Sequence, residues 1–142
     1  MATTRYLLLV GLIVVAAAVW KMSGSKHGSV KVTGRGDQEE QIVTITKGDR
    51  VDLGDHVAPH GRTIFEFHAD WCPGCRMLGP QLEALVQSRE DLSLRKIDIV
   101  QWGSDVAQQF AIRSIPYLML YDRQGELLAE GTHEVLEKLQ SR

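Results

Sequence analysis

The chain has 142 residues and a formal net charge of −2, and 24% of its residues are charged. This length allows one compact domain and a tail, and is too short for two ordinary domains. Because there is no excess of positive charge and no basic cluster interleaved with aromatic residues, we expect no nucleic-acid partner. The only cysteines are Cys72 and Cys75, which excludes a framework of several disulfides.

The N-terminal segment, residues 1–22, is predicted to be a signal peptide or a membrane anchor. Residues 6–20 carry no charge and lie between Arg5 and Lys21. A helix of this length spans roughly 22 Å, less than the ~30 Å hydrocarbon core of a bilayer. Small residues at 16–18 are typical of a signal-peptidase site, whereas a tryptophan followed by Lys21 is typical of an interfacial anchor. Both interpretations place the rest of the chain outside the cytoplasm, and the uncleaved segment would bind the membrane through residues 6–20.

A polar segment, residues 23–40, follows the apolar one. It is rich in Ser, Gly, Lys, Asp, Gln and Glu and contains few aliphatic side chains. Such a composition buries too little apolar surface to offset the conformational entropy of the chain. We therefore expect a flexible linker here and a folded domain over residues 41–142.

Strand-like and helix-like patterns alternate from residue 41 onward. Runs of β-branched and aromatic residues predict strands, and apolar residues at helical spacing predict helices. The predicted strands are residues 42–45, 63–67, 92–100, 117–121 and 126–129, and the predicted helices are residues 73–88, 104–110 and 134–140. Parallel strands need crossover helices, and a final hairpin adds antiparallel strands. The order therefore predicts an α/β fold with a central mixed β-sheet flanked by helices on both faces.

The cysteine pair follows a predicted strand and begins a predicted helix. The free N–H groups and partial positive charge of a helix N-terminus stabilise a thiolate, so we expect Cys72 to be the nucleophile. Cys75, one turn further along, is placed to resolve a mixed disulfide. Pro73 is tolerated at the first helical position, and Gly74 leaves the approach to Cys72 open.

Metal binding is the main alternative for this pair. A structural zinc site normally needs four ligands, so two further ligands would have to come from histidines. The candidates are His56, His60, His68 and His133. Attachment of a c-type haem requires His directly after the second cysteine, where this chain has Arg76. Two thiolates can also hold Cu(I), so a metal-carrying module remains an alternative to redox exchange without a metal or other cofactor.

Further residues accompany the cysteines along the chain. The run 65–72 ends in Trp71-Cys72, Pro80 lies within the predicted helix, and Ile115-Pro116 and Gly131 precede and follow the final strands. In these features the chain resembles the thioredoxin family over roughly residues 42–140. The resemblance implies a thioredoxin-like fold and thiol–disulfide exchange with protein partners.

The resemblance also implies roles for individual residues. Pro116, in a cis peptide, would lie against the cysteines, and the backbone of Ile115 would pair with a substrate strand. Trp71 would form a wall of the site, together with Pro73 and Gly74 between the cysteines. Glu66 corresponds to a buried carboxylate that exchanges a proton with Cys75, and Lys96 to a lysine that pairs with this carboxylate.

The chain departs from the family pattern in the residues between its cysteines. Thioredoxins usually have Gly-Pro there, whereas this chain has Pro73-Gly74, the proline-first order of glutaredoxins and disulfide-bond oxidases. Residues 51–58 are also short for the family's first helix, and Ser114 replaces a common glycine. We predict an extracytoplasmic thiol–disulfide oxidoreductase that reduces partner disulfides and is served by an upstream redox partner, with a disulfide oxidase as the alternative direction.

Overall fold

A computed structural model describes residues 40–141 of the chain. The predicted signal peptide or anchor, residues 1–22, and all but the last residue of the predicted linker, residues 23–40, lie outside the described residues and stay predictions. Within residues 40–141, no helix is both long enough and apolar enough to cross a bilayer.

Five strands, three α-helices and a short 3₁₀ helix make up the described part of the chain. The strands are β1 (Ile42–Lys47), β2 (Arg62–His68), β3 (Leu92–Asp98), β4 (Tyr117–Tyr121) and β5 (Leu127–Glu130). The helices are α1 (Pro73–Gln87), α2 (Asp105–Gln109) and α3 (Thr132–Gln140), and the 3₁₀ helix is Leu53–His56. This order agrees with the predicted alternation of elements.

The strands form one sheet in the order β1-β3-β2-β4-β5. β1 and β2 are both parallel to β3, whereas β4 is antiparallel to β2 and β5 is antiparallel to β4. β2 is therefore central, and its Glu66 pairs with Lys96 of β3 and Leu118 of β4. The predicted mixed sheet is confirmed.

Alternate residues of β2 contribute to two separate apolar clusters, one on each face of the sheet. Ile64 packs with Leu82 of α1 and Val135 of α3, whereas Phe65 and Phe67 pack on the opposite face. The opposite cluster also contains residues of the 3₁₀ helix and of α2. This period-two alternation is what a strand covered by helices on both faces requires.

Local backbone geometry explains where several elements begin and end. β3 ends at Asp98 rather than at the predicted Val100, because Val100 has a φ of 59° and cannot continue an extended strand. Its N–H donates to the Asp98 carboxylate at 2.8 Å. α3 begins at Thr132, two residues earlier than predicted, because Gly131 takes the N-cap position with a φ of 97°.

Gly61 is the glycine whose replacement should cost most stability. Its φ is 78°, and a β-carbon there would overlap the carbonyl oxygen of Asp91 and lie 2.6 Å from its carbonyl carbon. We expect Gly61→Ala to lower the free energy of unfolding by about 3 kcal/mol or more. Gly125→Ala is the matched control, because Gly125 has a φ of 81° and open space around it. It should cost only about 1–2 kcal/mol in urea unfolding, and equal costs would contradict the predicted overlap.

Candidate active site

The cysteine pair lies where β2 is followed by the first turn of α1. Cys72 is the N-cap residue of α1, Pro73 follows it, and the backbone N–H of Cys75 donates to Cys72 Sγ at 3.1 Å. The two cysteines are joined by a disulfide, with their Cα atoms 5.3 Å apart, and both are largely buried. The helix N-terminus therefore directs the backbone N–H of Cys75 at the sulfur of Cys72.

The loop before β4 approaches the cysteines from the opposite side. The Ile115–Pro116 peptide is cis, and the carbonyl oxygen of Ile115 lies 3.7 Å from Cys72 Sγ. A β-carbon on Gly74 would lie only 3.2 Å from Pro116 Cδ. Thr132 donates its hydroxyl to the carbonyl oxygen of Pro116 at 2.6 Å. The structure thus brings together Cys72 and three predicted substrate-contact residues.

Trp71 forms an exposed wall beside the disulfide. Its Nε1 donates to the carbonyl oxygen of Val100 at 2.6 Å, and its ring lies 5.5 Å from that of Trp102. The two tryptophans are 47% and 49% exposed, and Val100 is 48% exposed. Large apolar side chains that remain half-exposed next to a reactive bond offer a surface for a partner chain.

The predicted buried carboxylate lies beneath the helix that carries Cys75. Glu66 is only 1% exposed, and its Oε1 would be 3.6 Å from a β-carbon on Gly79, one turn after Cys75. Burial raises the pKa of Glu66 to about 6, although the ammonium of Lys96 opposes this shift. Lys96 Nζ lies 3.9 Å from Glu66 Oε2. The structure therefore places Lys96 near Glu66, beyond hydrogen-bond distance.

Comparison with known proteins identifies the class to which this arrangement belongs. A sequence model of the thioredoxin family matches residues 44–141. The chain belongs to the thioredoxin family. A thioredoxin from Chlamydia muridarum is 39% identical over 80 residues, which cover 56% of this chain and 74% of that protein. A protein disulfide-isomerase from Oryctolagus cuniculus is 30% identical over 88 residues, which cover 59% of this chain and 17% of that protein.

Solved structures show the same fold. The thioredoxin of Trichomonas vaginalis superimposes with a TM-score of 0.56 at 22% identity, covering 71% of this chain and 96% of the other. Thioredoxin f from spinach chloroplast gives a TM-score of 0.56 at 21% identity, covering 72% and 94%. The predicted thioredoxin-like fold is confirmed, and the chain is a thiol–disulfide oxidoreductase of this family with Cys72 and Cys75 as its redox pair.

Several residues of this thioredoxin-family site escape sequence reasoning. Trp102 and Val100 follow β3, which is parallel to β2, so both loops meet at the same edge of the sheet as the cysteines. The predicted parallel pairing of these two strands could therefore have indicated that the loop after β3 lies beside the cysteines. Glu83 accepts a hydrogen bond from Lys96 at 2.6 Å. This contact could not be predicted, because nothing in the sequence determines which carboxylate a lysine contacts.

Two buried polar atoms near the family's redox pair have no hydrogen-bond partner in the part of the chain that the structure describes. They are Oε2 of Glu66 and Nε2 of His68, on successive same-face positions of β2. Burial lowers the pKa of His68, so its imidazole is neutral at neutral pH. Across residues 40–141, no group of three or more His, Cys, Asp or Glu side chains is arranged to hold a metal ion.

Proposed function

We propose that this protein is an extracytoplasmic protein-disulfide reductase. The observation that carries the proposal is the Cys72–Cys75 pair at the N-terminus of α1, with Ile115-Pro116 against it. An extended partner segment can reach Cys72 between these two loops.

The proposed reaction proceeds through a mixed disulfide. The Cys72 thiolate attacks one sulfur of a partner disulfide, forming an intermolecular S–S bond and releasing the other sulfur as a thiolate. Cys75 loses its proton and attacks Cys72 Sγ, which closes the Cys72–Cys75 disulfide and releases the second partner sulfur. Two electrons pass to the partner, and an upstream dithiol protein then restores both thiols.

Cys72 is the nucleophile in this proposal because its sulfur faces the helix N-terminus. The Cys75 N–H at 3.1 Å donates to it, and the positive end of the helix dipole favours negative charge there. Both effects increase the thiolate fraction at neutral pH. Cys75 lies within α1, where its sulfur does not face the free N–H groups of the helix N-terminus. It is therefore suited to the later, resolving step.

Glu66 is the proposed proton acceptor of Cys75. It lies under α1 close to the turn that follows Cys75, and its pKa of about 6 keeps it mostly ionised at neutral pH. A base with a pKa near the working pH can both accept and return a proton. Lys96, 3.9 Å away, limits how far burial raises the pKa of Glu66.

The partner's cysteine-bearing segment is proposed to lie across five residues. The backbone of Ile115 would pair with it, and Trp71, Pro73, Gly74 and Pro116 would contact its side chains. The proposed occupant is a protein chain, because Trp71, Val100 and Trp102 leave large apolar side chains half-exposed beside the disulfide.

The extracytoplasmic location is proposed from residues 6–20. Their charge-free apolar sequence between Arg5 and Lys21 favours export through or retention in a membrane. An alkaline phosphatase fused after Arg142 should be active in a bacterial host, since this reporter needs oxidised disulfides. A fusion that is active only when a foreign signal peptide is added would overturn the proposed location.

The direction of electron flow is tested by the equilibrium potential of the Cys72–Cys75 pair in the full-length protein. The likeness to thioredoxins favours a reductant, whereas the proline-first order of Pro73-Gly74, shared with glutaredoxins and disulfide-bond oxidases, leaves oxidation as the alternative. We expect a potential near that of thioredoxin, about −270 mV, in equilibrium with dithiothreitol buffers. A value near about −120 mV would identify an oxidant and overturn the reductase assignment.

A further inference from the structure

Lys96 lies between two carboxylates and much closer to one of them. Its Nζ is 2.6 Å from Oε1 of Glu83 and 3.9 Å from Oε2 of Glu66. Only the shorter distance is a hydrogen bond. Glu83 is partly exposed on α1, whereas Glu66 is buried beneath that helix. The ammonium therefore donates to the more exposed carboxylate and makes no hydrogen bond to the buried one.

We infer that Glu83 is a positioning residue, which keeps Lys96 out of hydrogen-bond contact with Glu66 and thereby leaves Glu66 able to take up and release a proton. The inference rests on the proposed role of Glu66 as the proton acceptor of Cys75. Glu83 lies on α1, the helix that begins at the redox pair, and would join Lys96 in controlling the protonation of Glu66.

Three of the elements around Glu66 contribute charged or titratable groups. β3 contributes Lys96, α1 contributes Glu83, and β2 contributes His68 at the next position on the same face. β4 pairs the apolar Leu118 with Glu66. Burial raises the pKa of Glu66, Lys96 lowers it, and the charge of Glu83 raises it. His68 is neutral at neutral pH, because burial lowers its pKa. The pKa of Glu66 therefore depends on how close the Lys96 ammonium lies to its carboxylate.

Removal of the Glu83 charge should act on Glu66 in two ways with the same sign. The direct repulsion between the two carboxylates disappears, and Lys96, whose closer acceptor becomes a neutral amide oxygen, is drawn toward the charged Glu66 Oε2. A carboxylate that gains an ammonium at hydrogen-bond distance is stabilised in its ionised form. Both changes lower the pKa of Glu66.

The direct test is an NMR titration of the Glu66 side-chain carboxyl carbon in the full-length, oxidised protein. We expect Glu83→Gln to lower the pKa of Glu66 by about one unit or more. Glu90→Gln is the matched control, because Glu90 is an exposed glutamate just beyond α1. It should leave the titration unchanged. An unchanged pKa in Glu83→Gln, with the protein still folded, would overturn the inference.

A Lys96→Met background separates positioning from direct repulsion. If Glu83 acts by holding Lys96, Glu83→Gln should shift the pKa of Glu66 by less than half as much in this background as in the natural sequence. Equal shifts in both backgrounds would show that Glu83 acts without Lys96, and would overturn the positioning role.

Turnover measurements keep this inference distinct from the proposed function. The acidic limb of the pH profile for insulin reduction should move to lower pH in Glu83→Gln, in step with the pKa of Glu66. If the titration shifts and the profile does not follow, the proposed role of Glu66 is wrong while the positioning of Lys96 by Glu83 stands. If the natural protein reduces no disulfide, the proposed function fails and the titration alone still decides the inference.

Discussion

A Cys75→Ser variant should accumulate a covalent mixed disulfide with its substrate. Cys72 keeps its position at the helix N-terminus and can still attack, but the neighbouring thiol that would displace the partner is absent. Because that neighbour attacks within the same molecule, its loss should slow turnover by about 100-fold or more. The adduct is measured by intact mass after reaction with a synthetic peptide disulfide.

The matched control for this experiment is Cys72→Ser, in which the helix and Cys75 remain. It should form no adduct and show no turnover, because Cys75 is deeper in α1 and away from the helix N-terminus. Adducts of equal yield on both variants would contradict the assignment of Cys72 as nucleophile. Full turnover by Cys75→Ser would contradict the resolving role of Cys75.

Glu66→Gln should change how stability depends on pH. Burial raises the pKa of Glu66 from 4.5 to about 6, so between these values the folded protein binds more protons than the unfolded chain. The contribution of Glu66 to the free energy of unfolding should therefore fall as pH rises through this window, by about 2 kcal/mol in total. Glutamine does not titrate, so its variant should lack this decline. Urea unfolding at pH 4 and pH 8 measures the difference.

The same variant should slow the resolving step. Loss of the proton acceptor is expected to reduce the rate at which Cys75 closes the disulfide by about 10- to 100-fold, and to remove the acidic limb of the pH profile. Stopped-flow measurement of mixed-disulfide decay tests this. A decay rate unchanged by Glu66→Gln would contradict the proton-transfer role, whereas a stability profile that still declines would place the titrating group elsewhere.

The redox centre could be predicted from the sequence because its chemistry depends on short, local signals. A strand followed by Trp71-Cys72 and a helix-starting Pro73 predicts Cys72 as the nucleophile, whereas the place of Ile115-Pro116 beside it was implied by the resemblance to the thioredoxin family. The alternation of strands and helices along the chain likewise indicated a mixed sheet covered by helices on both faces. The cysteine motif and the individual strands and helices can be predicted because each is set by neighbours along the chain.

The remaining features depend on distances across the fold. The choice of Lys96 between Glu66 and Glu83 is set by side-chain packing between β3 and α1, which no local pattern encodes. The contact between Trp71 and Trp102 similarly requires the loops after β2 and β3 to meet. The left-handed conformation of Val100 ends β3 early against its strong preference for strands.

The central claim is that Cys72 and Cys75 catalyse thiol–disulfide exchange on proteins. It is tested most directly by the rate of insulin reduction by the full-length protein with dithiothreitol as the electron donor, compared with the uncatalysed rate and with Cys72→Ser. We expect clear acceleration by the natural protein and none by the variant. Reduction at the uncatalysed rate by both proteins, with both folded, would contradict the claim.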